Sequence, residues 1–290
     1  MKHRIVDLGT RAVALGGFLL FAAAGCDSSS PNDPPSGYTN ADAIRGGQLY
    51  DKFWATETGW NQADPNLATF NAKADFFRCK QCHGWDLIGS QGAYISRGPN
   101  ANRPRVSPLD LYTFAQNNSA QKVFDALQRS TSRRPVSADL STYDPTTNPT
   151  VGDQMPDLNT IFTEDDLWDL TRFLKKGAID VTTLYDFQTT GTYPTGSIAF
   201  SNIGLDGNAA NGDAIFTAKC AGCHGAAGDA FLVDGDAFTV GSHLRAKPNE
   251  DQHKLKYGQL GTQMVPQVTT LAEMKDLYKA LTNVTTYPDP

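Results

Sequence analysis

The chain has 290 residues, 40% of them hydrophobic, and a formal charge of −6 at pH 7. That length accommodates two domains of ordinary size. The negative charge argues against a nucleic-acid partner, and beyond the N-terminal leader no stretch approaches the roughly 20 apolar residues needed to cross a bilayer.

Lys2, His3, Arg4 and Arg11 make a basic start, followed by the apolar run "AVALGGFLLFAAA" and then "GC" at 25 and 26. The order basic, apolar, small is that of a secretory signal, and the apolar part is too short to span. With a cysteine at the cleavage point it resembles a bacterial lipoprotein signal, although Ala23 stands where Leu is usual. The resemblance implies removal of residues 1–25 and a lipid on Cys26; an ordinary signal with an incidental cysteine is the alternative. Residues 26–40, "CDSSSPNDPPSGYTN", are Ser, Pro and Asp with hardly an apolar residue, and are expected to be a flexible tether.

The first half opens on "GGQLYDKF" at 46, an amphipathic helix, and reaches "CKQCHGW" at 79–85. Trp85 is expected to fill core, with the edge of a bound group as its alternative position. A long polar stretch holding Arg129, Arg133 and Arg134 reads as a solvated loop; pairing with a bound carboxylate or a partner is the alternative. Met155 follows in "GDQMPDL", next to Pro and outside any helical pattern. The closing helix is "TEDDLWDLTRFLKKG". Thr163 with Asp166 forms a capping box, Leu167, Trp168, Leu170 and Leu174 make the buried stripe, and Lys175, Lys176 and Gly177 end it. The join that follows reads as a semi-ordered connector able to form a short β-ribbon turning at Gly and Pro.

The second half repeats the order. "GDAIFTAKCAGCHG" runs from 212 to 225, with Gly212 matching Gly46 and Phe216 matching Tyr50. Met264 lies in "GTQMVPQV", again beside Pro. Met274 sits in "LAEMKDLYKAL" at helical spacing with Leu271, Tyr278 and Leu281, so it is expected in the core.

The chain has five cysteines. Cys79 with Cys82, and Cys220 with Cys223, have C-x-x-C spacing, and His83 and His224 come directly after. This is the attachment signature of c-type haem. Two thiols one turn apart each add to a vinyl group on one porphyrin edge, and the following imidazole points at the iron. A thioredoxin-type pair has no use for the histidine, a four-thiolate zinc cluster leaves both histidines unexplained, and two short-range disulfides would staple little chain. Met155 and Met264 are the expected sixth ligands of the irons held by His83 and His224. His253 is expected to pack near the second haem or bond a propionate.

In tandem these features resemble class I c-type cytochromes, whose first and last helices cross at a glycine facing an aromatic residue. The departures are the long spacer before Cys79 and the long loop before Met155. The resemblance implies an all-α fold: two cytochrome c-like helical domains, 41–178 and 199–290, each built round a covalently bound haem c, with a linker at 179–198. With both irons His/Met-ligated, it implies transfer of single electrons between redox protein partners, from a lipid anchor on the periplasmic side of a bacterial membrane. The alternatives are a catalytic dihaem enzyme acting on peroxide or thiosulfate, and a haem subunit of a larger respiratory complex.

Overall fold

The computed structural model describes residues 34–290; the leader, Cys26 and the tether as far as residue 33 lie outside the described residues. Among the described residues there are twelve α-helices and one two-stranded ribbon. No described helix is long and apolar enough to cross a membrane.

The first half is framed by α2 (Ala43–Lys52) and α7 (Glu164–Arg172). Asp42 caps α2 by accepting from the backbone N–H of Ile44 and Arg45, and α7 starts with the expected Thr163/Asp166 capping box. Leu167, Trp168, Leu170 and Leu174 are all buried. The two helices meet at Gly46, where a Cβ would lie 2.0 Å from Asp169 O and 2.8 Å from Phe173 Cβ. The second half is framed in the same way by α8 (Ala209–Lys219) and α12 (Leu271–Leu281). A Cβ on Gly212 would lie 2.0 Å from Asp276 O and 2.7 Å from Ala280 Cβ. The match extends to hydrogen bonds. The N–H of Asp42 donates to Asp169 Oδ1 (2.6 Å) and the N–H of Asn208 to Asp276 Oδ1 (2.7 Å). Two helices whose backbones touch have no room for a side chain at the contact, so each crossing needs glycine.

Between α2 and Cys79 the extra chain of the first half carries α3 (Leu67–Ala72). It builds an aromatic cluster in which the Phe53 ring centroid stands 4.8–5.0 Å from those of Trp54, Trp60, Phe70 and Phe162, all edge-on. Edge-on contact between such rings is favourable beyond the area it buries. The short helices α4 (Cys79–His83), α5 (Leu111–Asn117) and α6 (Ala120–Gln128) complete this half. In the second half α9 (Ala221–His224), α10 (Val240–Ala246) and α11 (Pro248–Tyr257) lie between the framing helices.

Three features differ from expectation. The end of the tether is docked: α1 (Ser36–Asn40) buries Tyr38 to 6% exposure under the Arg172 guanidinium, and Gly37 lies flat against the Trp168 indole. The connector does form the ribbon, with β1 (Asp186–Thr190) antiparallel to β2 (Ser197–Ser201). It is packed rather than semi-ordered, because Val181, Leu184 and Tyr185 are buried in the second core with Phe216 and Leu277. Leu271 is 42% exposed. The first turn of α12 is a surface end of the helix, where Glu273 pairs with Lys219, the last residue of α8 (2.7 Å). Met274, Tyr278 and Leu281 are buried as expected.

The halves interlock through α11. Its Tyr257 belongs to the first core and packs on Gly47, whose missing Cβ would sit 2.4 Å from the ring. Tyr257 Oη and Lys256 Nζ both donate to Gly177 O, at 2.5 and 2.7 Å, and Gln252 Nε2 donates to Trp85 O at 2.7 Å.

Candidate functional site

The two C-x-x-C-H segments have the same backbone. Each forms a single helical turn and ends on a glycine with positive φ: Gly84 at φ 77°, ψ 161° and Gly225 at φ 80°, ψ 164°. That region is costly for any residue with a Cβ, so the glycine after each histidine lets the chain leave the turn at once. In the first half Tyr50 Oη donates to Gly84 O (2.6 Å), which ties the motif to α2.

Among the described residues all four cysteines are free. Burial pushes the thiols of Cys79 and Cys82 up to about 12 and that of Cys220 up to about 11. They are protonated at neutral pH, which is the reverse of what a dithiol redox pair requires. Among the described residues no group of three or more His, Cys, Asp or Glu side chains converges to hold a metal ion, so the two thiol pairs do not meet in a four-thiolate cluster. Burial also lowers the imidazoles, that of His83 to about 4, and that of His224 in the same direction. Both rings are neutral at pH 7, the form that can bind a metal. The Nδ1 atom of each is buried without a hydrogen-bond partner.

In the second half Cys220, Cys223, His224 and Met264 all line one cavity of about 800 Å³, within the size range of cofactor pockets. Val240, Leu244, Leu255 and Leu281 give it apolar walls. Met264 is on an irregular segment held by its own backbone: Met264 O accepts from Gln259 N–H (2.8 Å), and its N–H donates to Thr262 Oγ1 (3.1 Å).

In the first half Met155 and Cys79 both pack against the first core. Arg134, next to Met155, departs from the polar-loop expectation, whereas Arg129 is exposed and Arg133 half-buried. Arg134 is 1% exposed. Its Nε donates to Gln154 O (2.9 Å), its Nη2 donates to Phe76 O, and its guanidinium lies 4.6 Å from the Phe77 ring centroid. Its backbone N–H donates to Met155 O (3.0 Å). Burial lowers its pKa to about 10, so it stays charged at neutral pH, with the nearby Cys82 thiol acting the other way. Its Nη1 is buried without a partner. The sequence hid this because an Arg in a run of Ser, Thr and Pro has no apolar periodicity to report its burial.

Two further residues fall where the sequence did not put them. His253 is 1% exposed and sits between the halves, its ring 4.7 Å from those of both Trp85 and Tyr257, with Tyr50 (6.0 Å) and Phe173 (5.9 Å) farther out. It is a seam residue, absent from the lining of the second cavity, because α11 turns that face toward α2. Trp85 is buried as expected, yet it also lines the second cavity, together with Arg78, Lys80 and Asp51 of the first half. The wall of the second site is therefore built partly from the first attachment motif. His243 also faces this cavity, with Nδ1 2.8 Å from Asp251 Oδ1. Nothing in the local sequence signals that pairing, which joins α10 to α11 across the break at Pro248.

No protein-family model, curated protein or solved structure matches the chain. What remains is the geometry: twice, a pair of thiols and a neutral imidazole on one helical turn, and in the second half a thioether on the same cavity. Such a set can bind a flat, iron-bearing ligand covalently at one edge and axially at the metal.

Proposed function

We propose that the chain is a dihaem c-type cytochrome that carries single electrons between redox proteins. Its lipid anchor on Cys26 would hold it on the periplasmic side of a bacterial membrane. One observation carries the reading: Met264, 40 residues beyond the C-x-x-C-H motif, shares one cavity of about 800 Å³ with that motif's Cys220, Cys223 and His224.

In the second half the residues lining the cavity fit the group, and the first half is assigned by its repeat of the same motif. In each half the thiols on one helical turn would form thioethers, Cys79 and Cys82 to one porphyrin, Cys220 and Cys223 to the other. His83 and His224 would supply the proximal nitrogens, and Met155 and Met264 the distal sulfurs. Arg134, with its buried and unpartnered Nη1, is the residue that would meet a propionate of the first porphyrin. Bound haem supplies a one-electron iron couple, which methionine ligation shifts to higher potential. The chain does the rest. Two side-chain donors per iron would leave no position for substrate, and the helix crossings at Gly46 and Gly212 tie the framing helices of each half together, so that little would rearrange when charge changes. A net charge of −6 favours a partner with a basic docking face.

The test is the haem content of protein matured in a host that attaches c-type haem. Two haems per chain, low-spin in both oxidation states, with a sulfur-to-iron charge-transfer band in the ferric form, are expected. A colourless or zinc-containing protein refutes the proposal. High-spin ferric iron with turnover of peroxide would replace the carrier by the catalytic alternative.

A further inference from the structure

The second cavity holds a donor that the His/Met scheme does not use. His243 is 2% exposed, on α10, and lines the same cavity as His224 and Met264. Its Nδ1 is held by Asp251 at 2.8 Å. Paired with a carboxylate acceptor, Nδ1 carries the hydrogen, and in the neutral ring Nε2 presents its lone pair. That Nε2 is buried and has no partner. A buried acceptor left unpaired costs free energy comparable to a lost hydrogen bond.

The neighbouring cations do not meet it. Of those lining the cavity, Lys219 is paired with Glu273 (2.7 Å), Lys254 with Glu250 (2.9 Å) and Arg78 with Asp51, and the Lys80 ammonium lies over the Trp85 ring, 4.5 Å from its centroid. The Phe238 ring stands edge-on at 5.6 Å and limits how the imidazole can turn. A carboxylate facing Nε2 would require an extra proton on the ring; a metal ion would not. An imidazole whose other nitrogen is fixed by a carboxylate is the usual arrangement of a metal ligand.

We propose that His243 is a second distal donor to the iron of the haem held by Cys220, Cys223 and His224, and takes the sixth position when the Met264 thioether leaves it. The step breaks one iron–sulfur bond and forms one iron–nitrogen bond; the proton stays between His243 Nδ1 and Asp251, and no electron moves. The two donors differ in mounting. His243 is on a helix capped by Thr239 and anchored in the core by Leu244. Met264 is half-buried on a loop, and its neighbour Val265 is 58% exposed. The softer sulfur suits ferrous iron and the imidazole suits ferric iron, so the exchange belongs to the oxidised protein and lowers the potential of that haem.

The inference rests on the function proposed above, and its test separates the two. In holoprotein carrying Met264→Leu, a swap that nearly keeps volume, electron paramagnetic resonance and magnetic circular dichroism report the ferric ligands. Expected is loss of the sulfur-to-iron band of one haem with that haem still low-spin, and a bis-imidazole signature in its place. Adding His243→Leu to that variant should turn the same haem high-spin. If the Leu variant is poorly made, Met264→Ala gives the same readout. A haem that is high-spin in the single variant overturns the inference while leaving the haem count intact. So does one that stays low-spin in the double variant, since a lysine would then be the donor. Wild-type protein without haem at Cys220 and Cys223 overturns both.

Discussion

Replacing Gly212 with alanine tests the helix crossing on which the second site depends. The new Cβ would lie 2.0 Å from Asp276 O, 2.6 Å from Asp276 C and 2.7 Å from Ala280 Cβ. Ordinary carbon–oxygen contact begins near ~3.3 Å, so α8 and α12 must part by roughly 1 Å or more. Separation loosens the packing of Phe216, Leu277 and Leu281, which are 1%, 0% and 2% exposed. It also weakens the bond from Asn208 N–H to Asp276 Oδ1, worth about 1 kcal/mol. Overpacking a full core costs about 1–3 kcal/mol, and alanine returns about 0.5–1 kcal/mol through its better helix propensity. The net expectation is a loss of about 2 kcal/mol in unfolding free energy. Gly222 is the control, because a Cβ there meets nothing within 4 Å; Gly222→Ala should change stability by no more than about 0.5 kcal/mol. Urea unfolding of both holoproteins, followed by far-ultraviolet circular dichroism, compares them. Equal midpoints for the two variants would refute the crossing, and with it the shared frame of the two halves.

Other outcomes follow from the same structure. His253 has a pKa lowered to about 4 by burial, against about 6.5 when unfolded. The unfolded chain therefore binds the proton first as pH falls. The stability tied to neutral His253 is full above about 6.5 and is lost on the way down to about 4, to the extent of about 3 kcal/mol. Comparing wild type with His253→Phe at pH 7 and pH 4 should show that difference, and parallel pH profiles would exclude it. Arg134→Met should destabilise the first half by about 3 kcal/mol, because Gln154 O and Phe76 O each lose a buried donor; a thermal midpoint unchanged from wild type would contradict that. Replacing Cys220 and Cys223 by serine should abolish attachment of one haem and lower the thermal midpoint, since a cavity of about 800 Å³ then loses its covalently held filling. Retention of two covalent haems would count against the assignment.

Much of the frame was legible in the residues. The capping box at Thr163 and Asp166, the stripe on α7 and the burial of Met274 are signals set by neighbours three or four positions away, the ribbon in the connector is set by a short hairpin turn, and each is present in the fold. The repeat was visible too, since Gly46 and Gly212 precede their aromatic partners by the same spacing. Leu271 and Tyr38 were misjudged because exposure at the end of a helix, or burial at the end of a tether, depends on what happens to pack there.

By itself the sequence determined the chemistry within one turn: two thiols and an imidazole on each motif, and a glycine to release the chain after it. Those properties come from bonded geometry and backbone sterics, which reach only a few residues. The tertiary structure alone decided what meets across the fold. It sank Arg134 beside Cys82, closed the second cavity with Trp85 from the first motif, locked His253 into the seam and aimed His243 at the cavity from Asp251. Such contacts join residues far apart in the chain, and only the packing of α2, α10 and α11 brings them within reach.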